Sequence, residues 1–372
     1  MTGAHAPRPA RALLALLLFG AAPAAAQTPE THAPETHAPE TQAPETRAPE
    51  ARVPEAQVPE AQVPEAPLKL RYGQAFSSAH SIFSLPISVA QREGLFRREG
   101  LELEVLVPIP GGSDKMIAAL HDDVVDLTHV ATPFLVRAAL AGSDAVAIAA
   151  EFDNPIYSLI AKPEIASIAA LKGKVVGLAD EAGSITISMR KLMALHGLAR
   201  GEFGVKTIEG TPTRWNCLRR GECDAVVLGQ PQDLQAIEQG YRSLGISTEA
   251  VPQFLYTVTA ARRSFAEAHK EAVTRYVRAM AAAFAFIRAR ANRARVVAAI
   301  VATIGTSEAI AARTLDLYFE PERGVLPRRG EIDLAGLQQA ISLMGEGGAL
   351  TPPLPSAERF VDLHYLRAAG VE

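Results

Sequence analysis

From residue 68 onward the chain repeats one pattern: a short apolar run, a turn of small or hydroxyl-bearing residues, then a helical stretch. The clearest case starts at residues 174–178, Lys-Val-Val-Gly-Leu, which read as a buried strand. The chain then passes through Asp180, Gly183, Ser184 and Thr186 into a helical stretch over 189–197 that ends at Gly197. The same pattern predicts strands over 68–74, 101–107, 127–130, 145–150 and 225–228, with helices over 82–93, 113–120, 132–141 and 213–220. Alternating strands and helices imply an α/β architecture with a mainly parallel sheet. In such sheets the ligand sits beyond the carboxyl ends of the strands. The turns carrying Ser77, Ser78 and His80, residues 111–113, Thr132-Pro133, residues 181–186 and Gln230-Pro231 all fall at that position.

Two β-rich segments, 157–161 and 254–260, flank a second α/β unit and read as crossovers between two lobes. A double crossover with a cleft between the lobes suits clamshell closure on a ligand. The division this predicts is lobe 1 over 68–158, lobe 2 over 159–256, and a return to lobe 1 with C-terminal helices over 257–372. Those helices are expected to pack back on the first lobe. With 48% hydrophobic residues the core is ample, while 6% aromatics leave little for a base-stacking surface. The net charge of -4 is concentrated in a Glu-bearing repeat before residue 68, so no basic stripe points to nucleic acid or acidic lipid.

The first 26 residues have a basic start at Arg8 and Arg11, a short apolar run and an Ala-Ala-Ala exit, the pattern of a secretory signal cleaved after Ala26. No Cys follows for lipid attachment, so the mature protein is expected free in the periplasm. Residues 27–67 repeat a five-residue unit, Thr-His-Ala-Pro-Glu and its variants. A proline every fifth residue blocks helix and sheet alike, so the segment reads as an extended, disordered tether.

The turn at residues 180–188 has two readings. Ser184 is either a helix cap, or, with Gly183 and Thr186, a ligand contact at a helix start, where unpaired N–H groups and the helix dipole favour an acceptor or anion. Arg214, beside Trp215, is either an anion clamp or a solvated surface arginine. Phe76, Phe152 and Tyr157 are either walls for a flat organic acid or ordinary core. Asp153, in Glu151-Phe152-Asp153, either contacts ligand or solvates a turn near the hinge. The residues expected to contact ligand are Phe76, Ser77, Ser78, His80, Thr132, Asp153, Tyr157, Gly183, Ser184, Thr186, Arg214 and Gln230.

Three stretches carry a family resemblance. Residues 90–104, with Gly94, Phe96, Gly100 and Leu101, resemble a signature of the substrate-binding proteins of nitrate, sulfonate and taurine importers. Residues 168–177, around Leu171-Lys172-Gly173-Lys174, resemble the start of their second lobe. Residues 218–225, followed by Gln230-Pro231, resemble a third segment in the same order. The resemblance implies a two-lobed periplasmic-binding fold, type II-like, with a hinge and a central ligand cleft. It implies capture of a sulfonate, an aromatic carboxylate or a nitrate-like anion, and delivery to a membrane permease with its ATPase, by a monomer.

No G-x-S-x-G, Walker loop or zinc-spaced Cys/His set occurs, so no catalytic residue, cofactor or metal is expected. His121-Asp122-Asp123 and His129 read as structural. The alternatives are an enzyme on the same fold, using His80 or Glu181 as base on an aromatic or pyrimidine compound, and a periplasmic sensor subunit. A disulfide between Cys217 and Cys223 is permitted in an oxidising compartment, and the spacing leaves it open.

Overall fold

The computed structural model describes residues 66–79, 81–319 and 325–371. The expected signal, the repeat up to residue 65 and His80 lie outside these residues. The strands are β1 (Leu68–Ala75), β2 (Leu101–Ile109), β3 (Leu127–Ala131), β4 (Ala145–Phe152), β5 (Ser158–Ala161), β6 (Val175–Leu178), β7 (Gly204–Thr207), β8 (Ala225–Leu228), β9 (Arg242–Ile246) and β10 (Thr257–Arg262). They form two five-stranded sheets, ordered β2-β1-β3-β10-β4 and β7-β6-β8-β5-β9. β3, β4, β5 and β8 are buried at every position, which is why each reads as an apolar run rather than an alternation.

Both sheets are mixed rather than mainly parallel. β1 runs parallel to β2 and β3, and β6 runs parallel to β7 and β8. Each crossover then delivers one antiparallel strand into the other lobe's sheet: β5 pairs with β8 and β9, and β10 pairs with β3 and β4. The crossing segments are bonded to each other. The Tyr256 N–H donates to the Phe152 and Asp153 carbonyls, at 3.0 and 2.9 Å, and the Ser247 N–H donates to the Tyr157 carbonyl at 2.9 Å. A hinge built from two cross-bonded strands lets the lobes rotate about a short axis while keeping their own cores.

Edge strands β7 and β9 escape the sequence pattern. β7 is exposed throughout and β9 is half-buried at best, so neither needs an apolar run. The polar turn after β1 contains a short helix, Phe76–Ala79. Gly94, at φ +67°, separates the Leu85–Arg92 helix from Leu95–Arg98, a left-handed position that suits glycine.

In the C-terminal part, the Lys270–Arg288 helix buries Val273, Val277, Met280, Phe284 and Ile287 at helical spacing. It packs over the Leu85–Arg92 helix of the first lobe. The Glu308–Phe319 helix instead reaches the second lobe: Tyr318 donates to Gln230 Oε1 at 3.2 Å, and Arg313 pairs with Glu238. The expectation that these helices return to the first lobe therefore holds only in part.

Cys217 and Cys223 are joined in a disulfide with Cα atoms 5.3 Å apart. It packs with Trp215, Leu218 and Val226 in a small core under the second sheet. Closing a loop this short stabilises the fold by about 2 kcal/mol in the chain-entropy account. The Cys217→Ser, Cys223→Ser double variant is expected to lose that much in urea denaturation, and the native protein to show no free thiol by mass spectrometry.

Candidate functional site

The carboxyl ends of the parallel strands in both sheets face one cavity of about 710 Å³. Ser78 and Ser81 follow β1, Gly111 to Asp114 follow β2, and His129 and Ala131 belong to β3. From the second lobe come Asp180, Glu181, Ser184 and Ile185 after β6, Glu209 to Arg214 after β7, and Gly229 and Gln230 after β8. Tyr157 and Tyr256, from the two crossovers, form the hinge side.

The turn after β6 is built from within. Asp180 Oδ1 accepts from the Gly183 N–H at 2.5 Å, and the Thr186 hydroxyl donates to the Asp180 carbonyl at 2.9 Å. Two arginines hold its outer carbonyls: Arg190 donates to Glu181 O, and Arg137, from the first lobe, donates to Ala182 O at 3.2 Å. The helix that follows is Ser184–Leu195, and its N-cap is Gly183, which has no side chain to offer. Ser184 is the first helical residue and does not cap. Ser184 lines the cavity, and its buried hydroxyl has no hydrogen-bond partner among the described residues. A buried hydroxyl left without a partner costs about 1–3 kcal/mol.

Arg214 is not a surface arginine. It is 2% exposed, with Nε donating to Val227 O at 2.5 Å, Nη1 to Ile208 O at 2.9 Å and Nη2 to Thr211 Oγ1 at 3.1 Å. Burial lowers its pKa, with Tyr157, Tyr256, Asp180 and Glu209 opposing the shift. It contributes a fixed positive charge to the cavity wall rather than a free bidentate fork. Gln230 is likewise engaged, donating to Asp233 Oδ2 at 2.7 Å and accepting from Tyr318. Burial raises the Asp233 carboxyl, against bonds from Ser158 and Gln230 that lower it.

The hinge side is aromatic. Phe83 stacks on Tyr157 with centroids 5.9 Å apart and meets Tyr256 edge-on at 5.4 Å, and the Tyr157 and Tyr256 hydroxyls are 3.2 Å apart. Burial pushes Tyr157 up to about 12. Phe152 lies behind them, fully buried and away from the cavity wall.

Of the expected contacts, the structure brings Ser78, Tyr157, Ser184, Arg214 and Gln230 to the cavity. Four others stand elsewhere for identifiable reasons. The Thr132 hydroxyl is spent on the Leu255 carbonyl at 2.6 Å, and Thr186 closes the Asp180 turn. Gly183 backs against Asp180, whose Oδ2 would lie 2.3 Å from an added Cβ. Asp153 sits in the first crossover beside Arg288, Glu331 and Asp333. The side chains of Phe76 and Ser77, and all of His80, lie outside the described residues. The reading from sequence missed Phe83, Asp114, His129, Glu209 and Tyr256. A usable signal was Glu151, a lone acid inside an otherwise apolar strand, because a buried carboxylate demands partners.

Asp153 supplies a pH prediction. Burial first, then Glu331 and Asp333, hold its carboxyl well above the usual carboxylate range, while Arg288 opposes them. A carboxyl raised on folding binds more protons in the folded state, so its contribution is fully present below the unfolded value and is lost as pH rises toward the folded one. Asp153→Asn is expected to remove that loss, raising Tm by a few degrees in neutral buffer and leaving it little changed at pH 3. A Tm scan against pH checks this.

The comparisons with known proteins agree with this geometry. No curated protein matches the sequence significantly. Among solved structures, the ligand-binding component of an ABC-type import system from Staphylococcus aureus, with zinc bound, superposes with a TM-score of 0.67 at 12% identity, over 81% of this chain and 99% of that one. The nitrate-binding protein NrtA from Synechocystis gives 0.67 at 13% identity, over 82% and 88%. The aliphatic sulphonate binding protein SsuA from Escherichia coli gives 0.62 at 20% identity, over 82% and 99%. At these identities the likeness establishes the periplasmic-binding-protein fold. A family model described as NMT1/THI5 like matches residues 83–294, more than half of the sequence. The chain belongs to the NMT1/THI5-like family.

Proposed function

We propose that this protein is the solute-binding component of an ABC importer and that it captures a small organic solute by closing its lobes. The observation that carries the reading is Ser184, at an uncapped helix start on a cavity that both lobes build, its buried hydroxyl unpartnered among the described residues. In this reading an acceptor group of the solute, such as a sulfonate or carboxylate, lies against Ser184 and the first N–H groups of its helix. A flat apolar body lies along Phe83, Tyr157 and Tyr256. A nitrate-sized anion fits less well, because about 710 Å³ is far more room than it needs. Among the described residues the cavity wall carries Asp114, Asp180, Glu181 and Glu209 against one guanidinium, that of Arg214.

The same reading makes residues 1–26 a cleaved export signal and residues 27–67 a tether, and places the protein in the periplasm as a monomer that docks on a permease. Native mass spectrometry of protein purified from periplasmic extract tests it. The expected result is an N-terminus after Ala26 and a mass excess of one small organic molecule. Retention of Met1 in the cytoplasm would overturn the reading.

A further inference from the structure

On the first-lobe side the cavity wall includes His129, and the groups behind it decide what the ring presents. Glu151 is fully buried in β4. Its Oε2 lies 2.6 Å from His129 Nδ1, and its Oε1 accepts from the Thr259 hydroxyl at 2.6 Å and the Tyr72 hydroxyl at 3.0 Å. The Thr259 and Tyr276 hydroxyl oxygens are 3.1 Å apart. Each hydroxyl has one proton. With the Thr259 proton given to Glu151, Tyr276 donates to Thr259, and every proton in the network runs toward the carboxylate. With Glu151 as the carboxylate, the proton of that contact sits on His129 Nδ1. A neutral imidazole carries one proton, so Nε2 is left as an acceptor. It has no hydrogen-bond partner among the described residues, the ring lines the cavity, and Phe83 tilts against it with centroids 6.3 Å apart.

We propose that His129 Nε2 accepts a hydrogen bond from the bound solute, with Glu151 as the positioning residue that fixes the tautomer, so that the cleft selects organic solutes carrying an N–H or O–H donor. The proposal rests on the reading of the cleft as a solute site and deepens it. The rest of the wall points the same way. Asp114, Asp180, Glu181 and Glu209 add acceptors, while three of the Arg214 N–H groups are already bonded to the protein. The solute is then bipolar: an acceptor group toward Ser184 and a donor toward His129, across an apolar body. A purely structural histidine, present only to satisfy Glu151, would make no such selection.

Two measurements on the full chain test this. In nitrogen-15 histidine spectra of the ligand-free protein, assigned by loss of the signal in His129→Asn, the ring is expected to carry its proton on Nδ1. Glu151→Gln, whose carboxamide can donate, is expected to shift the proton toward Nε2. A wild-type ring protonated on Nε2, or on both nitrogens in neutral buffer, would overturn the assignment. Calorimetry with para-hydroxybenzoate and para-aminobenzoate against para-methoxybenzoate and benzoate supplies the second. The donor-bearing pair is expected to bind about tenfold tighter or more, the worth of one good hydrogen bond in a buried site. The gap should close in His129→Asn, because the asparagine N–H replaces Nδ1 toward Glu151 and deletes Nε2. Equal affinities in the wild type, or a gap that survives in His129→Asn, would overturn the proposal. If none of the four binds, the organic-acid reading of the cleft fails, and the tautomer spectrum still tests His129 separately.

Discussion

Ser184→Ala is expected to weaken solute binding about tenfold or more while leaving the empty protein as stable as the wild type or slightly more so. The two effects have opposite signs because the hydroxyl has no partner among the described residues. Removing it relieves an unmet hydrogen bond in the free state and deletes a made one in the bound state. Thr186→Val is the matched control. Its hydroxyl donates to the Asp180 carbonyl and lies 3.4 Å from the Asp180 N–H, so its loss loosens the turn. That variant is expected to lose about 1–2 kcal/mol of stability, with a smaller change in affinity. Thermal denaturation beside calorimetry separates the pair. Weakened binding in both variants with no change in stability would mean that the two hydroxyls act alike, against the geometry.

Arg214→Met should have the largest effect on the fold. The guanidinium ties together three points: the Ile208 carbonyl at the end of β7, the Val227 carbonyl in β8, and Thr211 at the start of the Thr211–Arg219 helix. Substitution strands carbonyls in a buried site, at a cost of about 3 kcal/mol or more in urea denaturation. Arg214→Lys keeps the charge but cannot reach three acceptors from one nitrogen, and an intermediate loss is expected. Burial lowers the pKa of this arginine, and Tyr157, Tyr256, Asp180 and Glu209 oppose the shift. A variant with unchanged stability would show that the arginine is solvated.

These two residues also show what was legible in the sequence. Ser184 was visible because its turn follows a fully apolar strand and opens a helix, and both patterns are local. That it stands one residue inside the cap, with its hydroxyl unpartnered, depends on Asp180 folding back onto the Gly183 N–H. Arg214 was visible as a charge near a helix start. Its burial was not, because the carbonyls that hold it belong to residues before and after its own helix. The crossovers were legible as β-rich segments. Their antiparallel pairing, which turns two mainly parallel sheets into mixed ones, is a long-range choice that no local pattern encodes. β7 and β9 were illegible because exposed edge strands carry no apolar signature. The Tyr72–Glu151–His129 network was missed for a related reason. Its members lie on different strands and converge only when β1, β3, β4 and β10 form one sheet.

In the proposed function the cavity between the lobes binds a small organic solute. Calorimetric titration of the purified, folded protein tests it most directly, with nitrate, an alkanesulfonate, aromatic carboxylates with and without N–H or O–H groups, and pyrimidines as titrants. The expected result is 1:1 binding of at least one organic member bearing both a donor and an acceptor group, its loss in Ser184→Ala, and no heat with nitrate. Tight binding of nitrate alone, or binding that is indifferent to Ser184 and His129, would contradict it.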